Sequence, residues 1–132
     1  MIPTKVKELF ERTQLVSFGT ADKEGNPNVV PILWKRILDG GKIILLDNFM
    51  RASKENVLRN NRVCLSVWDP ESEEAYKLKG TAVYHSRGPV YEAGREFMQA
   101  DGGDQVPRGV VEVTVTEVYA IKPGPDAGMR IM

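Results

Sequence analysis

Between Gly109 and Lys122 the chain repeats every two residues, with Val111, Val113, Val115 and Glu117 alternating against Val110, Glu112, Thr114, Thr116 and Val118. A period of two suits a half-buried β-strand, whereas a helix gathers a face at every third or fourth position. Shorter runs of the same kind recur along the chain. Leu15 to Ala21 reads as one strand, Asn28 to Leu38 as a second that bends at Pro31, Ile43 to Leu46 as a third and Val63 to Asp69 as a fourth. Ala75 to Ser86 makes a long fifth, with Tyr76, Leu78, Gly80, Ala82 and Tyr84 on one side and Lys77, Lys79, Thr81 and Val83 on a wetter one. Turn chemistry separates several of them, as in Asp22 to Pro27 and in Asp39-Gly40-Gly41-Lys42, where glycines supply the positive φ angles of a tight turn.

Three segments change period. Thr4 to Arg12 carries Val6, Leu9 and Phe10 at helical spacing behind Pro3, which suits a first turn. Lys54 to Asn60 reads as a two-turn helix with Ser53 as its N-cap, and Pro89 to Ala100 as a third helix with Tyr91, Ala93, Gly94, Phe97 and Met98 as its buried set. Strands outnumber helices and short turns join most of them. The pattern predicts a mainly β fold, a six-stranded antiparallel barrel with short helices over its ends, forming one domain over residues 1–132.

A chain of 132 residues removes roughly two-thirds of its unfolded surface from water, enough for one core. Its 18 basic and 18 acidic side chains cancel, which removes the positive excess that phosphate-backbone binding needs and makes nucleic acid an unexpected partner. The one cysteine, Cys64, sits in an alternating run and reads as a small core residue. The start, Met1-Ile2-Pro3-Thr4-Lys5, lacks a secretion signal, and no segment approaches the ~20 apolar residues of a membrane span. A cytoplasmic protein with no membrane contact is the expectation.

Two segments are candidates for chemistry. At Phe49-Met50-Arg51-Ala52-Ser53-Lys54-Glu55-Asn56 a strand gives way to a helix start, whose free N–H groups and dipole favour a phosphate. Arg51 offers a two-pronged donor, Ser53 a hydroxyl and Lys54 a point charge, although a capping serine with solvated cations would look the same. Val29 to Lys35 is a strand along which a planar heterocycle can lie, its edge on backbone groups and its faces against Trp34 and apolar neighbours; ordinary core packing is the plainer alternative. Other features carry little chemistry. His85 is the only histidine and has no second ligand pair for zinc, Glu71-Ser72-Glu73-Glu74 reads as a solvated turn, and neither a P-loop nor a dinucleotide fingerprint is present.

Taken together, Val29 to Trp34, Leu38-Asp39-Gly40, Met50 to Val57 with Asn61-Arg62-Val63, and Leu78 to Ala82 resemble the FMN-binding split-barrel family related to pyridoxamine 5'-phosphate oxidase, in its small FMN-binding-protein branch. The resemblance runs over nearly the whole chain. It implies FMN at a homodimer interface, with Val30, Pro31, Ile32 and Trp34 along the ring, Asp47 and Asn48 at the end of the third strand, and Gln105 and Val106 over the flavin. It further implies a phosphate held near Arg51, Ala52, Ser53 and Lys54. Ala52 departs from the family, whose members usually place a basic residue there, so Arg51 or Lys54 is expected to supply the charge. Pyridoxamine phosphate oxidation itself is not implied, since that enzyme is longer and carries substrate-binding basic residues with no counterpart here. A redox role through the flavin, as electron carrier or small-substrate oxidoreductase with an undefined partner, is the expected function. The alternatives are a split barrel that binds a deazaflavin or a haem, for which His85 is the lone axial candidate, and a cofactor-free β-barrel interaction module.

Overall fold

The computed structural model describes all 132 residues. Helix α1 spans Thr4–Arg12, as its spacing predicts, and buries Val6, Leu9 and Phe10. Its end is tied down twice. The Thr13 hydroxyl donates to Leu9 O at 2.6 Å, and the buried Lys35 ammonium donates to Thr13 O at 2.6 Å while lying over the Phe10 ring. A cation at this end of a helix is stabilised by the carbonyl dipoles, which offsets part of the cost of burying it.

The strands are β1 (Val16–Ala21), β2 (Pro27–Ile32), β3 (Lys35–Leu38), β4 (Lys42–Asp47), β5 (Arg62–Trp68), β6 (Ala75–His85) and β7 (Gly109–Ala120), with α2 (Ala52–Arg59) before β5 and α3 (Pro89–Ala100) before β7. They form one seven-stranded sheet in the order β2-β1-β5-β6-β7-β4-β3, antiparallel at every pairing. The sequence predicts six strands because it treats residues 28–38 as one. The break falls at Leu33 and Trp34 rather than at Pro31, and its cause is topological. β2 pairs with β1 at one edge and β3 pairs with β4 at the other, so the segment has to cross between edges and the sheet curls to allow it. Pro31 is tolerated within β2 because an edge strand has a side on which no N–H is required.

Residues Asp39–Gly41 form the single turn joining β3 to β4, with Gly40 and Gly41 at φ 73° and 75°. The β6–β7 ladder is irregular at one place, between Lys79 and Gly80. There Gly80 lies so near Thr114 O that a Cβ would stand 2.0 Å from it. The irregularity shifts the phase of β7: Val111, Val113 and Val115 are buried on one side of it, Val118 and Ala120 on the other. Glu117, placed with the inward valines by simple alternation, therefore ends half-buried.

The main core joins the inner faces of the strands to α1 and α2. A smaller cluster of Ile44, Leu46, Met98 and Val110 lies where α3 covers the outer face of β4 and β7. Within α3 only Gly94 and Met98 are buried, since Gly94 meets Val110 and a longer side chain there would collide; Ala93, expected inside, is exposed. Cys64 also departs from expectation. Val63, Leu65 and Val67 take the inner positions of β5 and leave Cys64 half-buried on the outer face, where burial pushes its thiol pKa up. No helix is long and apolar enough to cross a membrane.

Tyr76 closes the core near the start of β6, with its hydroxyl donating to Glu74. Burial first, and then that hydrogen bond, push its pKa up from 10.0 to about 12. The folded state thus keeps a proton that the unfolded chain loses, so this contribution to stability is complete below pH 10 and disappears as pH climbs toward 12. Urea unfolding between about pH 9 and 11.5 is expected to show falling stability, with a shallower fall in Tyr76→Phe; equal slopes would show that the loss arises elsewhere.

Candidate functional site

An aspartate without solvent contact organises the end of β4. The Asp47 carboxylate accepts hydrogen bonds from the Met50 N–H at 2.7 Å, the Tyr84 hydroxyl at 2.5 Å and the Arg108 guanidinium at 3.1 Å. Its backbone carbonyl accepts the Arg108 N–H at 2.8 Å, and the same guanidinium donates to Met50 O. A carboxylate this deep is tolerable only when its lone pairs meet donors, and here three do. Burial, followed by the bond to Asp47, pushes the Tyr84 pKa far above the ordinary tyrosine range, so the phenol stays a donor. The result is a fixed path for Asn48, Phe49 and Met50 between β4 and α2.

Beside that path lies a groove of about 430 Å³, lined by Val30, Pro31, Ile32, Leu33 and Trp34 around the β2–β3 bend, by Leu46, Asn48, Phe49 and Met50, and by Gln105. Most of this lining is apolar, which suits the faces of a planar ring. One polar atom stands out: Asn48 Oδ1 is the single buried side-chain oxygen or nitrogen without a hydrogen-bond partner. An acceptor left so costs about 1–3 kcal/mol. A second cavity of about 550 Å³ shares Leu33 and Trp34 but is lined by Glu11, Arg12, Lys35, Arg36 and Asp101, a mixed-charge setting less suited to enclosing a ring.

Helix α2 begins where the groove ends. Arg51 holds the cap position and no side chain caps the first turn, so Ser53 is not the N-cap that its sequence context suggests. It lies inside the first turn, buried, with its hydroxyl accepting the Asn28 amide at 3.0 Å. The reason is local: Asp47 draws in the Met50 N–H, and the chain starts its helical turn earlier than a serine cap would require. Glu55 is the first residue whose N–H meets a carbonyl, that of Arg51 at 3.1 Å, which leaves the N–H groups of Ala52, Ser53 and Lys54 without acceptors in the protein. Arg51 and Ala52 are exposed, and the Lys54 ammonium lies 4.9 Å from the centre of the Tyr84 ring.

Of the residues singled out in the sequence, the fold brings Val30, Pro31, Ile32, Trp34, Asn48 and Gln105 to the groove, whereas Arg51, Ala52, Ser53 and Lys54 do not line it but follow Met50 into the start of α2. Asp47 lies behind the wall with its oxygens already engaged, and Val106 is 67% exposed beside Gln105. Sequence reasoning misses Leu46 in the lining and Tyr84 and Arg108 behind it. The polar tips of Tyr84 and Arg108 meet Asp47 across 37 and 61 residues, which no local motif records.

A family model described as pyridoxamine 5'-phosphate oxidase matches residues 2–122. An uncharacterized protein of Methanocaldococcus jannaschii, MJ0282, is 36% identical over 120 residues, covering 89% of this chain and 80% of its own. The crystal structure of HupZ from Group A Streptococcus is similar with a TM-score of 0.84 at 29% identity, over 97% of this chain and 100% of that one. An FMN-binding protein from Syntrophomonas wolfei shares the fold at 10% identity, with a TM-score of 0.77 over 91% of this chain and 86% of its own. So do an F420 reductase, at 20% identity and a TM-score of 0.68 over 89% and 98%, and HutZ, the heme storage protein from Vibrio cholerae, at 16% and 0.65 over 88% and 92%. One architecture therefore serves proteins named for FMN, F420 and haem.

Replacing Asp47 by Asn puts an N–H₂ group among three donors. The expected cost is about 2–3 kcal/mol, since hydrogen bonds to a buried charge disappear. Arg108→Ala is expected to cost less, about 1 kcal/mol or under, because its guanidinium is half exposed and water can replace it. Chemical denaturation of the two variants checks the order, and a larger loss in Arg108→Ala would show that Asp47 is not the centre of the network.

Proposed function

The chain belongs to the pyridoxamine 5'-phosphate oxidase family and has its split-barrel fold, and from that premise we propose that it is a redox flavoprotein that binds FMN in the groove beside Asn48. The observation that carries this reading is the apolar groove at the β2–β3 bend, with Asn48 in its wall, next to the uncapped start of α2. Apolar residues of the β2–β3 bend enclose the ring faces, the Asn48 amide turns toward the groove to pair with the ring edge, and the free N–H groups at the start of α2, those of Ala52 and Lys54 foremost, take the phosphate. Arg51 and Lys54 supply positive charge in place of the basic residue missing at Ala52. Ser53, its hydroxyl already engaged by Asn28, contributes through its backbone and through holding α2 against β2. When bound, the flavin supplies one- and two-electron transfer. The residues around it bind, orient and exclude water.

A haem is less well matched. His85, the only imidazole, lies on β6 with Nε2 3.1 Å from Glu112 Oε1 and is not part of the groove. A deazaflavin shares the tricycle and a phosphate group, so the ligand test includes it.

The proposed assembly is a homodimer. Leu33 is 50% exposed, Val106 67% and Phe49 81%, which leaves an apolar rim in water that a second copy would cover together with the outer side of the ring. No particular compartment is needed for this reading, and cytoplasmic placement is part of the proposal only.

Purified protein is expected to be yellow or to become so with added FMN, and mass spectrometry of the released ligand identifies it. Asn48→Ala is expected to weaken FMN, riboflavin and deazaflavin alike, by about tenfold for one hydrogen bond removed from a dry site. Lys54→Ala is expected to weaken FMN more than riboflavin. A colourless protein that takes up no flavin overturns the proposal. Sedimentation of the loaded protein is expected to give a dimer, and a monomer that retains FMN would remove the argument from the apolar rim.

A further inference from the structure

Tyr84 touches both halves of the site without lining it. Its hydroxyl donates to Asp47, which holds the loop that carries Asn48, and its ring is the platform under the Lys54 ammonium. The ring has little room to move: a Cβ added at Gly109 would come within 2.3 Å of the Tyr84 Cζ and hydroxyl oxygen, so the phenol packs directly on the first residue of β7. Lys54 takes part in none of the fold's ion pairs and makes no hydrogen bond to another side chain. The face of Tyr84 is what restrains its long side chain. A cation resting on an aromatic face keeps its ammonium donors free, unlike one paired with a carboxylate.

We infer that Tyr84 is a positioning residue that sets the preference for a phosphorylated ligand over its dephosphorylated form, by holding Lys54 on its ring between Gly109 and the opening turn of α2. This rests on the proposed flavin site and adds a division of labour within one side chain. The hydroxyl acts through Asp47 on the loop that carries Asn48 and leads into α2, which both flavins use. The aromatic face governs the phosphate end through Lys54. Removing the hydroxyl loosens the loop beneath the ring, which every ligand uses. Removing the ring frees Lys54 to spread over many rotamers, a change that only a phosphate-bearing ligand feels.

The test is the ratio of riboflavin to FMN dissociation constants, measured by flavin fluorescence titration of the full-length protein. Tyr84→Phe is expected to weaken both ligands and, since Asp47 also sets the α2 amides, to lower the ratio far less than loss of the ring does. Tyr84→Leu is expected to lower the ratio by about tenfold, the worth of one charge-assisted hydrogen bond to phosphate. In a Lys54→Met background Tyr84→Leu is expected to leave the ratio where Lys54→Met alone puts it. Should Tyr84→Leu fail to fold, Gly109→Ala displaces the ring while retaining it and is expected to lower the ratio in the same direction. An unchanged ratio in these variants, or a ratio that falls as far in Tyr84→Phe, overturns the role of Tyr84 while the wild-type preference stands. A wild-type protein that binds neither flavin, or both equally, overturns the phosphate reading itself and this inference with it.

Discussion

The segment from Pro27 to Leu38 has to serve both edges of one sheet. β2 completes the ladder beside β1, β3 completes it beside β4, and these two pairs lie at opposite ends of the strand order. A flat sheet could not satisfy both with only Leu33 and Trp34 between them. The seven strands therefore curl until the edges approach, and the Leu33–Trp34 bend closes the gap, with Trp34 O accepting the Leu46 N–H at 3.0 Å. The groove is a consequence of that closure. Where a strand turns away from the ladder, its apolar side chains are no longer covered by a neighbour, and the space they leave is the one lined by Val30 to Trp34.

Asp47 fixes the other wall. Helix α2 could start at any of several residues after β4, since nothing in Asn48-Phe49-Met50-Arg51 compels a turn. The carboxylate decides the matter by capturing the Met50 N–H, while Arg108 bridges from Asp47 to Met50 O. These bonds place the free amides of α2 at the end of the groove and hold Asn48 with its oxygen unpartnered. A loop made rigid by a buried charge is a suitable wall for a site that has to be formed before its ligand arrives, because little ordering entropy then opposes binding.

Much of this is legible in the residues. The period of two marks β6 and β7, the apolar run Ile43 to Leu46 marks β4, and the spacing of Val6, Leu9 and Phe10 gives α1 its full extent. What alternation does not reveal are the places where long-range pairing changes the rule. Residues 28–38 read as one strand because the reason for breaking it lies at the opposite sheet edge. Glu117 falls in step with Val115 along the sequence because the irregularity that separates them arises from the close approach of Gly80 to Thr114. Ser53 has the context of a cap because Ser before a helical run usually is one, and the capture of the Met50 N–H that moves the helix start is made by a side chain whose role only the fold discloses. On the site itself, the apolar strand and the helix start are visible locally. The groups that hold them, Tyr84 and Arg108, are visible only across the fold.

The balance of charge explains why so much support stands behind so few binding groups. The chain has no net charge, so no broad positive field surrounds this end of the groove. What remains is short-range: amides at the start of α2, an exposed Arg51, and a lysine restrained by a tyrosine face. Short-range donors act only when correctly placed, since a helix terminus loses its effect within about one turn. Placement here is set by Asp47 for the amides and by Tyr84 for the lysine, and Tyr84 donates to Asp47. The start of α2 and the loop that carries Asn48 are thus set by one hydrogen-bonded pair, which ties the placement of each to the same two side chains.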